Sequence, residues 1–390
     1  MQHKRIIHLV ENIDDNYGGP AKSIPSLMSA LGEDEFEQYL LSCSVHNNEK
    51  NELIEKYGIK HIKSRQFGPS SIRYAPHLKK QLQNLIEVPE NTLMHIHNLW
   101  NYVPYVAWQI HKKTGCEYVL SPRGSLFSWC MENGKYRKNI ALWFFQKQML
   151  MSAKIIHVTS KQEYDAVRRL GVDGNIEIVP NGIALTDFDH LPTRDNASRT
   201  LSLPANTKYI LFMSRIDQKK GLDILLRAFA ENASKFKGWN LIIAGPKQDS
   251  EYWKVCQAII KRNKIDNRIH YLGMVKGKTR LASFAAANIF ALPSHSENFG
   301  VAILEALAAG LPVISTHNTP WIAVNDKNAG IITDANEPSI SAALSKLMSK
   351  SEQDLKLCKL AAKKLSLAFS SENSALKMRT VYRKALNESI

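Results

Sequence analysis

Short β-branched runs recur along this sequence, each followed by a longer stretch of helical character, and that alternation restricts the fold more than any other feature. In the first half the runs are Arg5 to Val10, Tyr39 to Cys43, Ile59 to Ile62, Leu93 to Ile96, Tyr118 to Leu120, Ile155 to Val158 and Ile176 to Val179. In the second half they are Tyr209 to Met213, Asn240 to Ala244, Ile269 to Leu272, Asn288 to Leu292 and the strand after Gly310. Strands alternating with helices are the signature of a parallel sheet wrapped on both faces. Ligands of such sheets gather beyond the carboxyl ends of the strands, so the segments that follow the strands are where chemistry is sought.

The chain has 390 residues, too many for one ordinary core, and two domains are expected. No apolar run reaches membrane-spanning length, because Ile140 to Met151 is broken by Gln146, Lys147 and Gln148. Arg5 to Val10 is too short for the apolar region of a signal peptide, and no cleavage pattern follows it. The five cysteines are scattered, without a CxxC pair, so neither a disulfide framework nor a zinc site is indicated, and a reduced cytoplasm fits. A net charge of +15 points to a polyanionic partner: nucleic acid, an anionic membrane face or phosphorylated substrates. No nucleic-acid-binding motif accompanies it.

After the first strand comes a turn-rich segment ending in Gly18-Gly19-Pro20, with a helix from about Ala21. It is not the GxGxxG of a dinucleotide fold. His97 and Trp100 follow the Leu93 to Ile96 run, and Trp100 can stack on a sugar or simply pack. Ser121-Pro122-Arg123-Gly124 follows the next run. From Arg123 to Lys154, basic residues including Lys135, Arg137 and Lys138 interleave with Trp129, Trp143, Phe144 and Phe145. That stretch fits two readings: an amphipathic helix whose aromatics are core, or one that lies on an anionic lipid surface.

Pro180-Asn181-Gly182-Ile183 opens a polar run to Asn206, read as the crossover between domains. Within it Asp187-Phe188-Asp189 spells a DxD metal-binding signature, but in a linker and not at a strand end. Beyond the Tyr209 to Met213 strand, Arg215 and Lys220 sit on a strand-to-helix loop suited to an oxyanion, Arg215 as a fork and Lys220 as a point charge. Gly273 to Thr279 (GMVKGKT) approaches a P-loop but has three residues between its glycines where four are required. Pro293 to Pro312 (PSHSENFGVAILEALAAGLP) carries Glu297 and Glu305 with seven residues between them, flanking a strand, a glycine turn and a helix. The free N–H groups of that helix make an anion site at Gly300 and Val301, where no Cβ hinders the approach of a phosphate. Glu305 is near enough to accept from vicinal hydroxyls such as those of a ribose, while Glu297 faces the sugar side. The tail from Glu352 to Leu386 is helical by pattern.

Taken in order, the glycine loop, Arg215-x4-Lys220-Gly221 and Glu297-x7-Glu305 resemble family 4 glycosyltransferases of the bacterial surface-polysaccharide type. The resemblance covers nearly the whole chain. It implies the GT-B plan, two Rossmann-like doubly wound parallel-sheet α/β domains facing across a cleft: residues 1–185 on the acceptor side, 186–369 on the donor side, and 370–390 crossing back onto the first domain. It implies retaining transfer from a UDP- or GDP-sugar to a glycan or lipid-linked saccharide, without metal or other cofactor. It also carries over His97 beside the reacting sugar, together with Arg215, Lys220 and Glu297 as catalytic residues. Donor contacts would come from Gly18, Gly19, Arg215, Lys220, Phe299, Gly300, Val301 and Glu305, and acceptor contacts from Trp100 and Arg123. A cytoplasmic protein peripheral to the inner membrane face, binding no nucleic acid, is the expected setting. The alternatives are another GT-B enzyme, such as a sugar-nucleotide epimerase or a phosphorylase, and a basic nucleic-acid-binding protein without enzymatic activity.

Overall fold

The computed structural model describes residues 4–44, 51–68, 72–132 and 145–387. The chain divides into two compact units, one formed by Met1–Gly182 with Ser371–Ile390 and the other by Ile183–Ser370. The first is built on seven parallel strands: β1 (Lys4–Val10), β2 (Phe36–Ser44), β3 (His61–Arg65), β4 (Thr92–His97), β5 (Tyr118–Ser121), β6 (Ile155–Val158) and β7 (Ile176–Ile178), in the spatial order 3-2-1-4-5-6-7. The second has six: β8 (Lys208–Met213), β9 (Trp239–Ala244), β10 (Ile269–Gly273), β11 (Ile289–Ala291), β12 (Val313–Thr316) and β13 (Gly330–Thr333), in the order 10-9-8-11-12-13. Central strands are buried along their length, with all six residues of β4 and all six of β9 inside, because helices cover both faces. Strand order reverses between β1 and β4 in one sheet and between β8 and β11 in the other. A crevice opens at the carboxyl ends of strands at such a reversal.

Two sequence expectations need correction, and a third, the helical tail, gains a break. The run Ile59 to Ile62 is not itself the strand: β3 spans His61–Arg65, with His61 opposite Leu40 and Arg65 opposite Ser44. The Ile59 amide is held by the Ile54 carbonyl at the end of the helix Glu52–Tyr57, and an edge strand can continue through exposed Lys63 and Arg65 because one side needs no burial. The polar run to Asn206 is not a loose crossover either. It holds the helix Arg194–Thr200, and Phe188, Ala197 and Leu203 are buried in the core of the second unit. The tail is two helices, Glu352–Ser366 and Ser371–Ala385, parted by a 3-10 turn at Leu367–Phe369. At that break Ser370 forms a parallel bridge with Ile183, and the Ile183 amide donates to the Phe369 carbonyl at 3.2 Å.

The helix Ser371–Ala385 belongs to the first unit. Its Ala375, Met378, Val381, Tyr382 and Ala385 share a core with Ile6, Phe36, Leu93 and Val119 from the first-unit sheet and with Leu31. Arg379 and Arg383 pair with Glu35, and Lys384 with Glu177.

Candidate functional site

In the second unit the loops after β8 and β11 meet. Lys220 closes the first loop and is buried, with 8% exposure, and its ammonium lies 2.5 Å from Glu297 Oε1 on the second. The Ser294 hydroxyl donates to the same oxygen at 2.8 Å. Burial alone would push the Glu297 carboxyl up, but the Lys220 ammonium, its direct contact and Ser294 together hold it below the usual carboxylate range. The loops fit closely. A Cβ on Gly221, whose φ is +67°, would stand 2.3 Å from the Pro293 carbonyl oxygen, so only glycine allows this approach. Arg215 is half-buried and 4.0 Å from Asp217, an arrangement that leaves its fork largely uncommitted.

Gly300 caps the helix Val301–Ala308 in the left-handed conformation, φ +77° and ψ +60°. The Trp321 indole donates to the Phe299 carbonyl at 2.5 Å and fixes the turn. Val301, Ile303, Leu304 and Leu307 anchor the helix in the core, so its first N–H groups are presented by a rigid element. Phe299 is itself buried, its ring against Trp321 and Phe369, so its contribution is to shape the turn. Glu305, also buried, pairs with Arg280 at 2.8 Å. Sequence reasoning missed Arg280. It comes one residue after the GMVKGKT segment, and its place in the helix Gly277–Ala286 could not be aligned with Glu305 before the packing was known.

In the first unit Gly18, φ +103°, precedes the helix Gly19–Leu31, and a Cβ at Gly19 would meet nothing within 4 Å. Trp100, half-buried with φ +71°, donates its indole N–H to the Ser125 carbonyl. His97 is completely buried and both its ring nitrogens are engaged: Arg123 Nε donates to Nδ1 at 3.0 Å, and Nε2 lies 3.1 Å from His8 Nδ1. His97, expected beside the reacting sugar, is thus an interior residue that accepts from Arg123, which is half-buried and also donates to Ser23. Gly124 donates to buried Glu163, which also accepts from the Thr159 amide and hydroxyl.

Hydrogen-bond directions in this cluster follow from the groups that can only donate or only accept. The Val179 carbonyl accepts, so His157 carries its proton on Nε2 and takes the Ser121 hydroxyl proton on Nδ1. Ser121 in turn accepts from His95 Nε2, and His95 Nδ1 accepts from the Tyr382 hydroxyl, each at 2.7 Å. In the second series Arg123 donates to His97 Nδ1, so the His97 Nε2–H donates to His8 Nδ1. Burial, reinforced by the Arg123 charge, lowers His8 to about 3, and burial lowers His157 to about 3. All four rings are neutral at pH 7, since His95 and His97 are also held well below the usual value by burial and by neighbouring cationic forms. Burial also lowers Arg123, to about 10, where it remains a cation.

The ligand atoms of His8, His95 and His97 lie within 4.8 Å of one another, a spacing open to a metal ion. The guanidinium 3.0 Å from His97 and the engaged nitrogens fit a hydrogen-bonded core better than a cation site. Asp187 and Asp189 lie in and after the 3-10 turn Leu185–Phe188, and among the described residues no third ligand joins them. Lys135, Arg137, Lys138, Trp143 and Phe144 lie outside the described residues. Phe145, at the edge of that stretch, packs against Tyr105 and Trp108. No helix among the described residues is long and apolar enough to cross a membrane.

Two sequence profiles match: residues 18–182 fit the glycosyl transferase 4-like domain, and residues 193–364 fit the glycosyl transferases group 1. The chain belongs to the family 4 glycosyltransferases. Among relatives, it is 26% identical over 301 residues to a D-inositol 3-phosphate glycosyltransferase of Corynebacterium urealyticum, a match that covers 74% of this chain and 70% of that protein. A protein of the same description from Corynebacterium jeikeium is 31% identical over 216 residues, 52% of this chain and 51% of the relative. Among solved structures, sucrose-phosphate synthase from Thermosynechococcus elongatus superposes with a TM-score of 0.81 at 20% identity, covering 99% and 100% of the two chains. Anabaena Alr3699/HepE in complex with UDP-glucose gives 0.79 at 18% identity, covering 97% of this chain and 99% of that one. At such identities these likenesses speak for the fold, which is GT-B.

Proposed function

We propose that this glycosyltransferase moves a sugar, with retention and without a metal, from a UDP- or GDP-sugar to a glycan or lipid-linked saccharide of a cell-surface polysaccharide. The observation that carries the reading is the convergence, at the strand reversal of the second unit, of Arg215, Lys220 and the N-terminus of Val301–Ala308. Glycosyl transfer builds positive charge on the sugar and negative charge on the departing diphosphate. Lys220 has three ammonium protons, of which Glu297 takes one, leaving others for phosphate oxygens. Arg215 can fork onto the same group, and the N–H groups at Gly300 and Val301 add neutral donors where charge develops. Glu297 holds Lys220 in place and positions the sugar. Glu305, fixed by Arg280, accepts from the ribose hydroxyls.

In the first unit Arg123 and Trp100, with the Gly18-Gly19 turn, are the acceptor-side and phosphate-facing elements of this reading. The net charge of +15 and the aromatic, basic stretch 123–154 support a position at the inner face of the cytoplasmic membrane, next to a lipid-linked acceptor. The complete chain is incubated with UDP- and GDP-sugars and saccharide acceptors, and release of nucleotide diphosphate is followed with and without EDTA. Release that requires acceptor and survives EDTA is the expected outcome. Failure to release nucleotide from every sugar offered would refute the donor class, and loss of activity on chelation would refute metal independence.

A further inference from the structure

Both units place side chains from two loops together at the strand reversal, and in the first unit those side chains come from positions that sequence reasoning passed over. Glu11 directly follows β1 and Asn98 directly follows β4, the two strands between which the order reverses. Glu11 is 7% exposed. Its Oε1 accepts from the Asn98 amide at 2.8 Å and from the Tyr17 hydroxyl, while its Oε2, buried beside them, has no partner among the described residues. Asn98 holds a left-handed backbone, φ +72°, with its backbone N–H tied to the Ser121 carbonyl. The Arg73 guanidinium lies 6.0 Å from the centre of the Tyr17 ring, and Gln66 anchors it at 2.9 Å.

A buried carboxylate oxygen left without a donor is costly, and such an orphan in a folded chain calls for an explanation, a ligand being one. Beside an aromatic ring and an amide, at the point where doubly wound sheets bind their ligands, a carboxylate, which in its ionised form only accepts, is suited to a hydroxyl donor. We propose that Glu11 anchors the acceptor: Oε2 receives a hydrogen bond from a hydroxyl of a saccharide or polyol, with the Tyr17 ring and Arg73 beside it. The inference rests on the glycosyl-transfer reading and adds to it the residue that selects a hydroxyl-rich acceptor. Glu11 also explains why Asn98 adopts a strained backbone: that conformation aims its amide at Oε1 and leaves Oε2 to the ligand.

The test uses the complete chain and its Glu11→Gln and Tyr17→Phe variants. Binding of methyl α-D-glucopyranoside, methyl α-D-mannopyranoside and myo-inositol is followed by ligand-observed NMR at saturating UDP, and UDP and GDP binding by calorimetry on the same samples. Glutamine keeps an oxygen for Tyr17 and Asn98 but turns Oε2 into an N–H donor, so binding of the polyols should weaken tenfold or more while nucleotide affinity stays within twofold. Tyr17→Phe removes a tie to Oε1 yet leaves Oε2, and should weaken polyol binding less than threefold. Equal polyol binding in wild type and Glu11→Gln, an equal loss in both variants, or no polyol binding by the wild-type chain would overturn the role of Glu11. Absence of nucleotide binding in the wild-type chain would count against the donor reading instead.

Discussion

Arg215 and Lys220 serve the same proposed anion but stand in opposite physical situations, and their substitution separates chemistry from stability. Arg215 is about one-third exposed and only loosely paired, so Arg215→Ala should lower turnover ~100-fold or more and shift the thermal midpoint by no more than about 2 °C. Lys220→Ala removes the partner of a buried carboxylate. It should reduce turnover as strongly and also destabilise the second unit by about 3–5 kcal/mol, the range for breaking a buried ion pair. Initial rates and melting curves on both variants decide the matter, and near wild-type turnover in Arg215→Ala would remove it from the site. Arg215-x4-Lys220 was legible in the sequence because the two cations lie on one short loop. The partnership of Lys220 with Glu297, 77 positions away, was not, because it depends on how β8 and β11 lie side by side.

The element that carries most of the site is the pair of loops after β8 and β11, and glycines decide how closely they pack. Gly221→Ala would set a Cβ 2.3 Å from the Pro293 carbonyl oxygen in a left-handed backbone, a clash with main chain that no side-chain rotation relieves. A loss of at least about 2 kcal/mol is expected, read as a lower urea midpoint at unchanged slope. Gly19→Ala is the contrast, since its Cβ would meet nothing within 4 Å, and its stability should change by under about 0.5 kcal/mol. The strand-to-helix rhythm disclosed both loops. It misplaced β3 by about two residues, because register on an edge strand is set by pairing with β2 and by the preceding helix end, and apolar content alone does not fix it.

At the scale of the whole molecule, each unit has its own sheet and core, and the first is completed by the last helix of the chain. Tyr382 on that helix donates to His95 inside the sheet, so residues 287 positions apart close the same hydrogen-bond chain. The neutral histidines make this core sensitive to acid. His8 and His157 have folded values near 3 against 6.5 for a free imidazole, so the unfolded chain binds their protons more readily throughout that window. Their contribution is fully present above pH 6.5 and is lost as the pH falls from there toward 3, by about 2 kcal/mol per ring at pH 5. Arg123 is cationic in the folded and unfolded chain throughout this window and adds no slope of its own. Glu11 and Glu163, raised by burial, act in the opposite one, because their protonated forms are favoured in the folded state. Urea midpoints between pH 7.5 and 5 should therefore fall for the wild-type chain. A His157→Phe variant, with the Val179 carbonyl left to other donors, should start lower and fall less, and parallel slopes would show that the cluster is not the titrating core.

By itself the sequence determined the parallel-sheet class, the two-unit plan, the helix terminus at Gly300 and the order of charged motifs, because these follow from local periodicity and from spacings within one loop or helix. Tertiary structure alone decided that His97 is an interior residue turned toward Arg123, that Arg280 meets Glu305, and that Glu11 and Asn98 come together beneath an unpartnered oxygen. The physical reason is the same in each case. Burial and hydrogen-bond partnership depend on which strands are neighbours, and in a doubly wound sheet neighbours such as β1 and β4 are separated by more than 80 residues of chain.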